Sequence, residues 1–191
     1  MLRVLVIAES SRQADEVCAG LRLAGHEPTS VVTPDDEFEA AIERHRPGLI
    51  VLEARSPSVD VLDRIMDATG SHPVPLIVFA QDSSAQAIER TVKAGASAYI
   101  VDGLKAERVP VVVQIALARF EFISQLRADL RAAEQKLAER KFVERAKGLL
   151  MKARNLSEDE AYHTLRRMAM ERNRRLGDVA RSVLEMADLL N

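Results

Sequence analysis

The sequence has a single cysteine, Cys18, among 191 residues. One thiol can form neither an internal disulfide nor a cysteine metal cluster, so the fold must rest on apolar burial. Cys18 stands beside Val17 and Leu21, the setting of a small packed residue and not of a redox switch. No apolar run approaches the roughly 20 residues that span a bilayer. Met1-Leu2-Arg3-Val4 leads into a strand-like run without the charged region, apolar segment and cleavage site of a leader peptide. A cytoplasmic protein with no membrane association is the expectation. No nucleophile lies beside a base, no metal-ligand spacing occurs and no glycine loop suits a phosphate, so neither an enzyme, a cofactor nor a metal site is expected. Stop signals are also scarce: beyond Pro110 there is no proline, and from there to Asn155 the only glycine is Gly148.

With 47 % hydrophobic and 29 % charged residues the chain has the balance of a folded protein, long enough for one full domain and a smaller one. The net charge of -2 hides an asymmetry: residues 1–110 carry a net -6, residues 111–140 a net +1 and residues 141–191 a net +3. A polyanionic partner would meet the carboxy-terminal third.

Strand-like and helix-like segments alternate five times over the first 105 residues or so. Residues 2–8, 29–32, 49–53, 76–80 and 98–101 read as strands. The helices between them include residues 11–24, closed by Gly25, and a segment reaching His45 that Thr33 caps and Pro34 opens. Single helices between buried strands give a doubly wound α/β sheet of flavodoxin-like type, whose functional rim lies at the strand carboxyl ends.

This segment resembles a bacterial response-regulator receiver domain through Pro47-Gly48-Leu49-Ile50-Val51-Leu52-Glu53, Ser56-Pro57-Ser58-Val59-Asp60 and Ala94-Gly95-Ala96-Ser97-Ala98-Tyr99-Ile100. The resemblance implies a phosphoacceptor aspartate, an acidic pair for Mg²⁺, a hydroxyl and a lysine. Here those positions read Glu53, Ala8-Glu9, Ala80 and Asp102. Glu53 carries its carboxylate a methylene further out, while one metal ligand, the hydroxyl and the cation are missing and Asp102 adds repulsion. A receiver-shaped module that takes no phosphoryl group is the expectation. Glu53 as an imitation of a modified aspartate is the other reading, with a plain structural role preferred.

From Pro110 to about Asn155 a helix of some 44 residues would be roughly 65 Å long, too long to pack along one small domain. Val112, Ala116, Arg119, Ile123, Leu126, Leu130, Ala133 and Leu137 follow steps of three and four, the spacing of a coiled-coil seam. A parallel homodimer is the expectation, against a helix folded back on its own receiver. The expected domains are a receiver-like domain, 1–108, a coiled-coil linker, 109–140, and a three-helix domain, 141–191.

In that last domain Phe142, Val143, Ala146, Leu149, Leu150 and Ala153 share one helical face. Lys147 and Met151 fall on one flank, Lys152 on the other and Gly148 opposite the core. An outward glycine costs about 1 kcal/mol in a helix relative to alanine. It points to close approach of a ligand, to a neighbouring helix or to a neutral surface site. Asn155 closes the helix and Ser157-Glu158-Asp159-Glu160 is a capping box for the next. There Ala161, Tyr162, Leu165, Met168 and Ala169 form the expected buried face. The third helix buries Leu176, Val179, Ala180, Val183, Leu184, Ala187 and Leu190. Five arginines lie between positions 166 and 175. Arg166, Arg167, Arg172, Arg174 and Arg175 suit phosphate contacts, with Asn173 and Met170 placed to meet bases.

Residues 141–191 are similar to the ANTAR domain, a three-helix RNA-binding module of bacterial antiterminators. The similarity rests on Ala146-Lys147-Gly148-Leu149-Leu150-Met151, Glu160-Ala161-Tyr162, Leu165-Arg166-Arg167-Met168-Ala169-Met170 and Arg174-Arg175-Leu176-Gly177-Asp178-Val179-Ala180. Receiver, coiled coil and ANTAR in that order resemble the AmiR and NasT regulators. Ala98-Tyr99-Ile100-Val101-Asp102-Gly103-Leu104 and Ala118-Arg119-Phe120 look most like the nitrate-assimilation antiterminators of the NasT type. That resemblance implies paired RNA hairpins in a leader transcript as target, RNA polymerase as an indirect partner, and restraint by a nitrate-sensing repressor of the NasS type in place of a kinase. The RNA-binding residues then expected are Lys147, Gly148, Lys152, Arg166, Arg167, Met170, Arg172, Asn173, Arg174 and Arg175. A DNA-binding response regulator and a dimerising signalling adaptor are the alternatives.

Overall fold

The computed structural model describes residues 1–32, 38–70, 72–101 and 105–188. The expectations placed on Thr33, Pro34, Asp102 and Leu190 lie outside those residues. The chain divides into two compact units, Met1–Ser124 and Gln125–Asn191.

In the first unit β1 (Arg3–Ala8), α1 (Ser11–Leu23), β2 (Glu27–Val32), α2 (Phe38–His45), β3 (Leu49–Ala54), α3 (Val59–Thr69), β4 (Leu76–Ala80), α4 (Ala85–Lys93) and β5 (Ala98–Val101) follow one another. The five strands form one parallel sheet in the order β2-β1-β3-β4-β5. Parallel strands covered on both faces read as continuous apolar runs, and β3 and β4 are buried at every position. Side chains alternate between two cores. Val4, Val6, Leu49, Val51, Ile77 and Phe79 pack on one face with α1, and Leu5, Ile7, Ile50, Leu52, Leu76 and Val78 on the other with α2 and α3. Ser10, Ser58 and Ser84 cap α1, α3 and α4 by accepting the amide three residues on. Gly25, at φ 74°, follows α1 in the left-handed conformation expected of it. Cys18 is buried in the first core, and burial pushes its thiol pKa up, away from the reactive thiolate.

After a short 3₁₀ turn, Ala106–Arg108, a single helix α5 runs over Val109–Arg154. Its first turns were expected in the dimer seam. Instead Val109, Val113 and Ala116 are buried in the first core, with Val112 and Leu117 packed against it. The same three-and-four spacing serves both kinds of packing, so the seam proper begins only beyond Ala116. A second correction concerns apolarity: the helical stretch Ala106–Arg154 is, by length and composition, apolar enough to cross a membrane. Docking on the sheet accounts for one of its apolar faces, while Val111, Ile115 and Phe122 stay exposed.

The second unit holds the rest of α5 with α6 (Glu158–Glu171) and α7 (Leu176–Asp188). Its core is Ala146, Leu150, Ala161, Leu165, Ala169, Val179, Ala180, Val183 and Leu184, edged by Phe142, Val143, Leu149, Met168 and Leu176. Asn155, at φ 52°, ends α5, and Ser157 with Glu160 forms the full capping box of α6. Ala153 and Tyr162 depart from expectation, both being exposed. Core packing has ended one turn before Ala153, and Tyr162 lies at the rim of the apolar stripe.

Gly20 marks where α1 and α5 meet: a Cβ there would collide with the Val109 side chain and the Ala106 carbonyl. Gly20→Ala is therefore expected to lower the unfolding free energy by about 1–3 kcal/mol, the usual cost of overpacking, despite alanine's better helix propensity. Urea unfolding of the full chain measures it.

Candidate nucleic-acid interface

The sheet rim comes first, because the receiver resemblance places chemistry there. Glu53 lies near the end of β3, with Ala8 of β1 and Phe79 of β4 as its direct neighbours across the sheet. By strand alternation it shares the face of Leu49 and Val51, and it does not reach outward: Glu53 is 4 % exposed and one carboxylate oxygen, Oε2, has no hydrogen-bond partner. Burial pushes its pKa up, and the nearby Glu9 pushes the same way. Ala80 pairs in register with Ala54 and packs in the opposite core, so it is not beside Glu53. Glu9 is exposed, and its backbone N–H donates to the Glu53 carbonyl at 3.2 Å. Asp102 lies outside the described residues. The Mg²⁺ that the receiver resemblance implies does not fit this set: Ala8 supplies no ligand, and a buried carboxyl with a raised pKa is a poor one. Among the described residues no group of three or more His, Cys, Asp or Glu side chains is placed to hold a metal.

In the second unit the charged groups are arranged differently. Around α6, with 100° per residue, Ala161, Leu165 and Ala169 face the core, Tyr162 borders that stripe, and His163, Arg166, Arg167 and Met170 occupy the opposite sector. Tyr162 and these four are exposed, Met170 to 73 %. Arg172, Asn173, Arg174 and Arg175 continue this surface through the turn to α7 and are exposed as well. Asn173 sits at φ 48°, a left-handed position that turns the chain sharply between two arginines. Among the described residues only weak contacts engage these cations. Arg167 lies 4.0 Å from Glu171, and Arg174 donates to the Ser182 hydroxyl at 3.4 Å. Their guanidinium groups are open to an outside anion.

On α5 the outcome is mixed. Lys152 is exposed, and Gly148 has nothing within 4 Å of where a Cβ would stand. Its glycine is not required by a neighbouring helix, which removes one of the three readings. Lys147 must be corrected: it is 8 % exposed, and its Nζ bridges Glu144 at 2.9 Å and Glu158 at 2.7 Å. The hydrogen bonds to Glu158 and Glu144 hold its pKa above the ordinary lysine value. Lys147 thus ties α5 to the first turn of α6 and is spent within the domain. Tyr162 is the residue that sequence projection missed as a surface candidate. It is 38 % exposed, with its ring edge-on to His163 at 6.1 Å, and offers a flat face for an unpaired base. Its phenol was the available signal, since a buried tyrosine needs a hydrogen-bond partner and an exposed one does not.

Residues 131–184 match the ANTAR domain. The whole chain is similar to the transcriptional regulatory protein PdtaR of Mycobacterium tuberculosis, 29 % identical over 183 residues that cover 96 % of this chain and 89 % of the relative. A nitrate regulatory protein of Klebsiella oxytoca is 37 % identical over 67 residues, covering 35 % of this chain and 17 % of that protein. Among solved structures, NtrX of Brucella abortus superposes with a TM-score of 0.54 at 25 % identity, over 68 % of this chain; the chain spans 29 % of that one. The signal receiver domain of NarL from Mycobacterium tuberculosis gives a TM-score of 0.51 at 20 % identity, over 60 % of this chain and 95 % of that one, a likeness of fold. The chain joins a domain of receiver-type fold to an ANTAR domain.

The buried carboxyl gives a pH signature. With a folded pKa raised above the unfolded value of about 4.3, Glu53 favours folding least where it must ionise. Its penalty is absent below that value, grows as pH rises through the gap and levels off above the folded pKa. Glu53→Gln is expected to raise the thermal midpoint at pH 7 and to leave it nearly unchanged at pH 4, as differential scanning calorimetry at the two pH values would record.

Proposed function

We propose that this chain is an antitermination regulator that binds RNA hairpins in leader transcripts through the second unit. The observation that carries the reading is the exposed sector of α6 and the turn behind it, where Arg166, Arg167, Arg172, Arg174 and Arg175 stand with Tyr162, Met170 and Asn173. Guanidinium groups neutralise phosphates and stack on bases, and hairpin loops present the unpaired bases that such a surface can read. Lys152 and the open backbone at Gly148 extend the surface on α5.

The finer parts of the proposal follow the same resemblance. The regulated genes serve nitrate or nitrite assimilation, in line with the nitrate regulatory relative. Control comes from a nitrate-sensing repressor protein of the NasS type and not from a kinase, and RNA polymerase is touched only indirectly. The receiver-type domain takes no phosphoryl group: Glu53 is buried, Ala8 and Ala80 bring no ligand, and the site lacks its charge stabilisers. The chain acts as a homodimer through the exposed apolar seam of α5, so that two ANTAR domains meet two hairpins. A DNA-binding regulator is the competing reading, because short helices joined by tight turns also enter a major groove.

A salt-titrated binding assay with leader hairpin RNA and duplex DNA of equal length separates these readings. Hairpin RNA is expected to bind tighter, with affinity falling steeply as salt rises; equal, shallow binding to both would sink the antiterminator reading. Replacing Arg166 and Arg167 together with alanine is expected to weaken RNA binding by about tenfold or more and to flatten the salt dependence, with the circular dichroism spectrum unchanged. Incubation with acetyl phosphate and Mg²⁺ is expected to leave the intact mass unaltered, and an added phosphoryl group would overturn the kinase-independent reading.

A further inference from the structure

Beyond the first core α5 presents a face with no partner among the described residues. Leu126, Leu130 and Leu137 are 52 %, 59 % and 56 % exposed, and Ala133 between them is exposed too. In heptad terms Ile123, Leu130 and Leu137 take position a, and Arg119, Leu126, Ala133 and Arg140 take position d. Flanking them, Arg127 and Glu134 fall at e, Asp129 and Lys136 at g. All four flanking charges are exposed, and none makes an ion pair among the described residues. Asp129 accepts only the Gln125 side-chain amide, at 2.9 Å.

These charges discriminate between the two ways a second copy can lie on the seam. In a parallel pair each g residue meets the e residue five positions on, which sets Asp129 against Glu134 and Lys136 against Lys141, twice each. Arg119 and Arg140 would also face their own copies across the seam. Every one of these contacts is repulsive. In an antiparallel pair g meets g and e meets e. With Leu130 opposite Ala133 and Leu126 opposite Leu137 of the second copy, Asp129 meets Lys136, Arg127 meets Glu134, and Arg119 meets Glu144. Every one of these charge pairs is attractive, and Arg140 falls opposite Ile123, away from its own copy. Sliding the antiparallel pair by a heptad in one direction brings Glu134 onto Glu134 and Lys136 onto Lys136. The other direction brings Arg127 onto Arg127 and Asp129 onto Asp129.

We propose that two copies of this chain pair antiparallel along residues 119–144 of α5, in the single register centred between Arg131 and Ala132. This deepens the homodimer reading given above and rests on it. It replaces the parallel orientation expected from spacing alone, because apolar spacing is blind to direction and the flanking charges are not.

Disulfide trapping reads the orientation, in a Cys18→Ala background that leaves no native thiol. In the antiparallel register, copies of residue 137 lie 11 residues out of step, roughly 16 Å along the axis. Leu137→Cys alone and Leu126→Cys alone are then expected to stay uncrosslinked on mild oxidation, whereas an exchanged equal mixture of the two forms a mixed disulfide. Crosslinking of either variant with itself overturns the orientation, and a dimer that crosslinks in no preparation overturns the register. Sedimentation of the unmodified chain keeps the two levels apart, since a monomer at micromolar concentration overturns the dimer itself. A surface variant adds a readout of opposite sign. Glu134→Lys is expected to weaken the dimer several-fold by facing Arg127, whereas a parallel pair would be strengthened because Asp129 would gain a partner.

Discussion

The docking of Val109, Val113 and Ala116 on the sheet governs how the rest of α5 is used. It completes the cover of one sheet face, which β1, β3 and β4 need because they are apolar on both sides. Gly20 makes the approach possible by leaving room for Val109. Once these positions are committed to the first core, the apolar residues further along the helix have no sheet to lie on. Leu126, Leu130 and Leu137 stay exposed, and beyond them Phe142 and Ala146 enter the core of the second unit. One helix therefore takes part in two cores and keeps an apolar, charged-flanked face between them.

The rim of the sheet has the backbone of a receiver-type fold, with a buried carboxyl at the end of β3. A phosphoacceptor carboxylate must be ionised, solvent-facing and surrounded by cations. Glu53 is flanked by Ala8 and Phe79, buried, and left with an oxygen that nothing satisfies. The second unit shows the opposite economy. Its Lys147 is held in a double ion pair and Ser157 with Glu160 caps α6, while the arginines beyond are left open.

Much of this was legible in the sequence, because the relevant signals are local. Continuous apolar runs marked the parallel strands, Gly25 and Asn155 marked helix ends, and Ser157 with Glu160 marked the start of α6. What was not legible depends on a second element arriving from elsewhere. A helical projection puts Lys147 on a flank, but it cannot see that the first turn of α6 will bring Glu158 to it. The spacing of Val112 and Ala116 fits a dimer seam and a sheet-facing helix equally well, and only the fold decides between them. Glu53 was placed correctly at the end of its strand, yet the register that buries it between Ala8 and Phe79 is a property of three strands together.

The turn at Asn173 has a consequence for what natural variation can retain. At φ 48° an asparagine carries strain that glycine would not, so a chain selected for stability alone would drift toward glycine there. It would lose little by doing so, since the surrounding turn is solvent-facing. An asparagine kept in that place holds a carboxamide, with both a donor and an acceptor, at the tip of an arginine-lined turn. Position 173 thus couples a left-handed backbone to a polar side chain that glycine, the easier occupant of that conformation, would not supply.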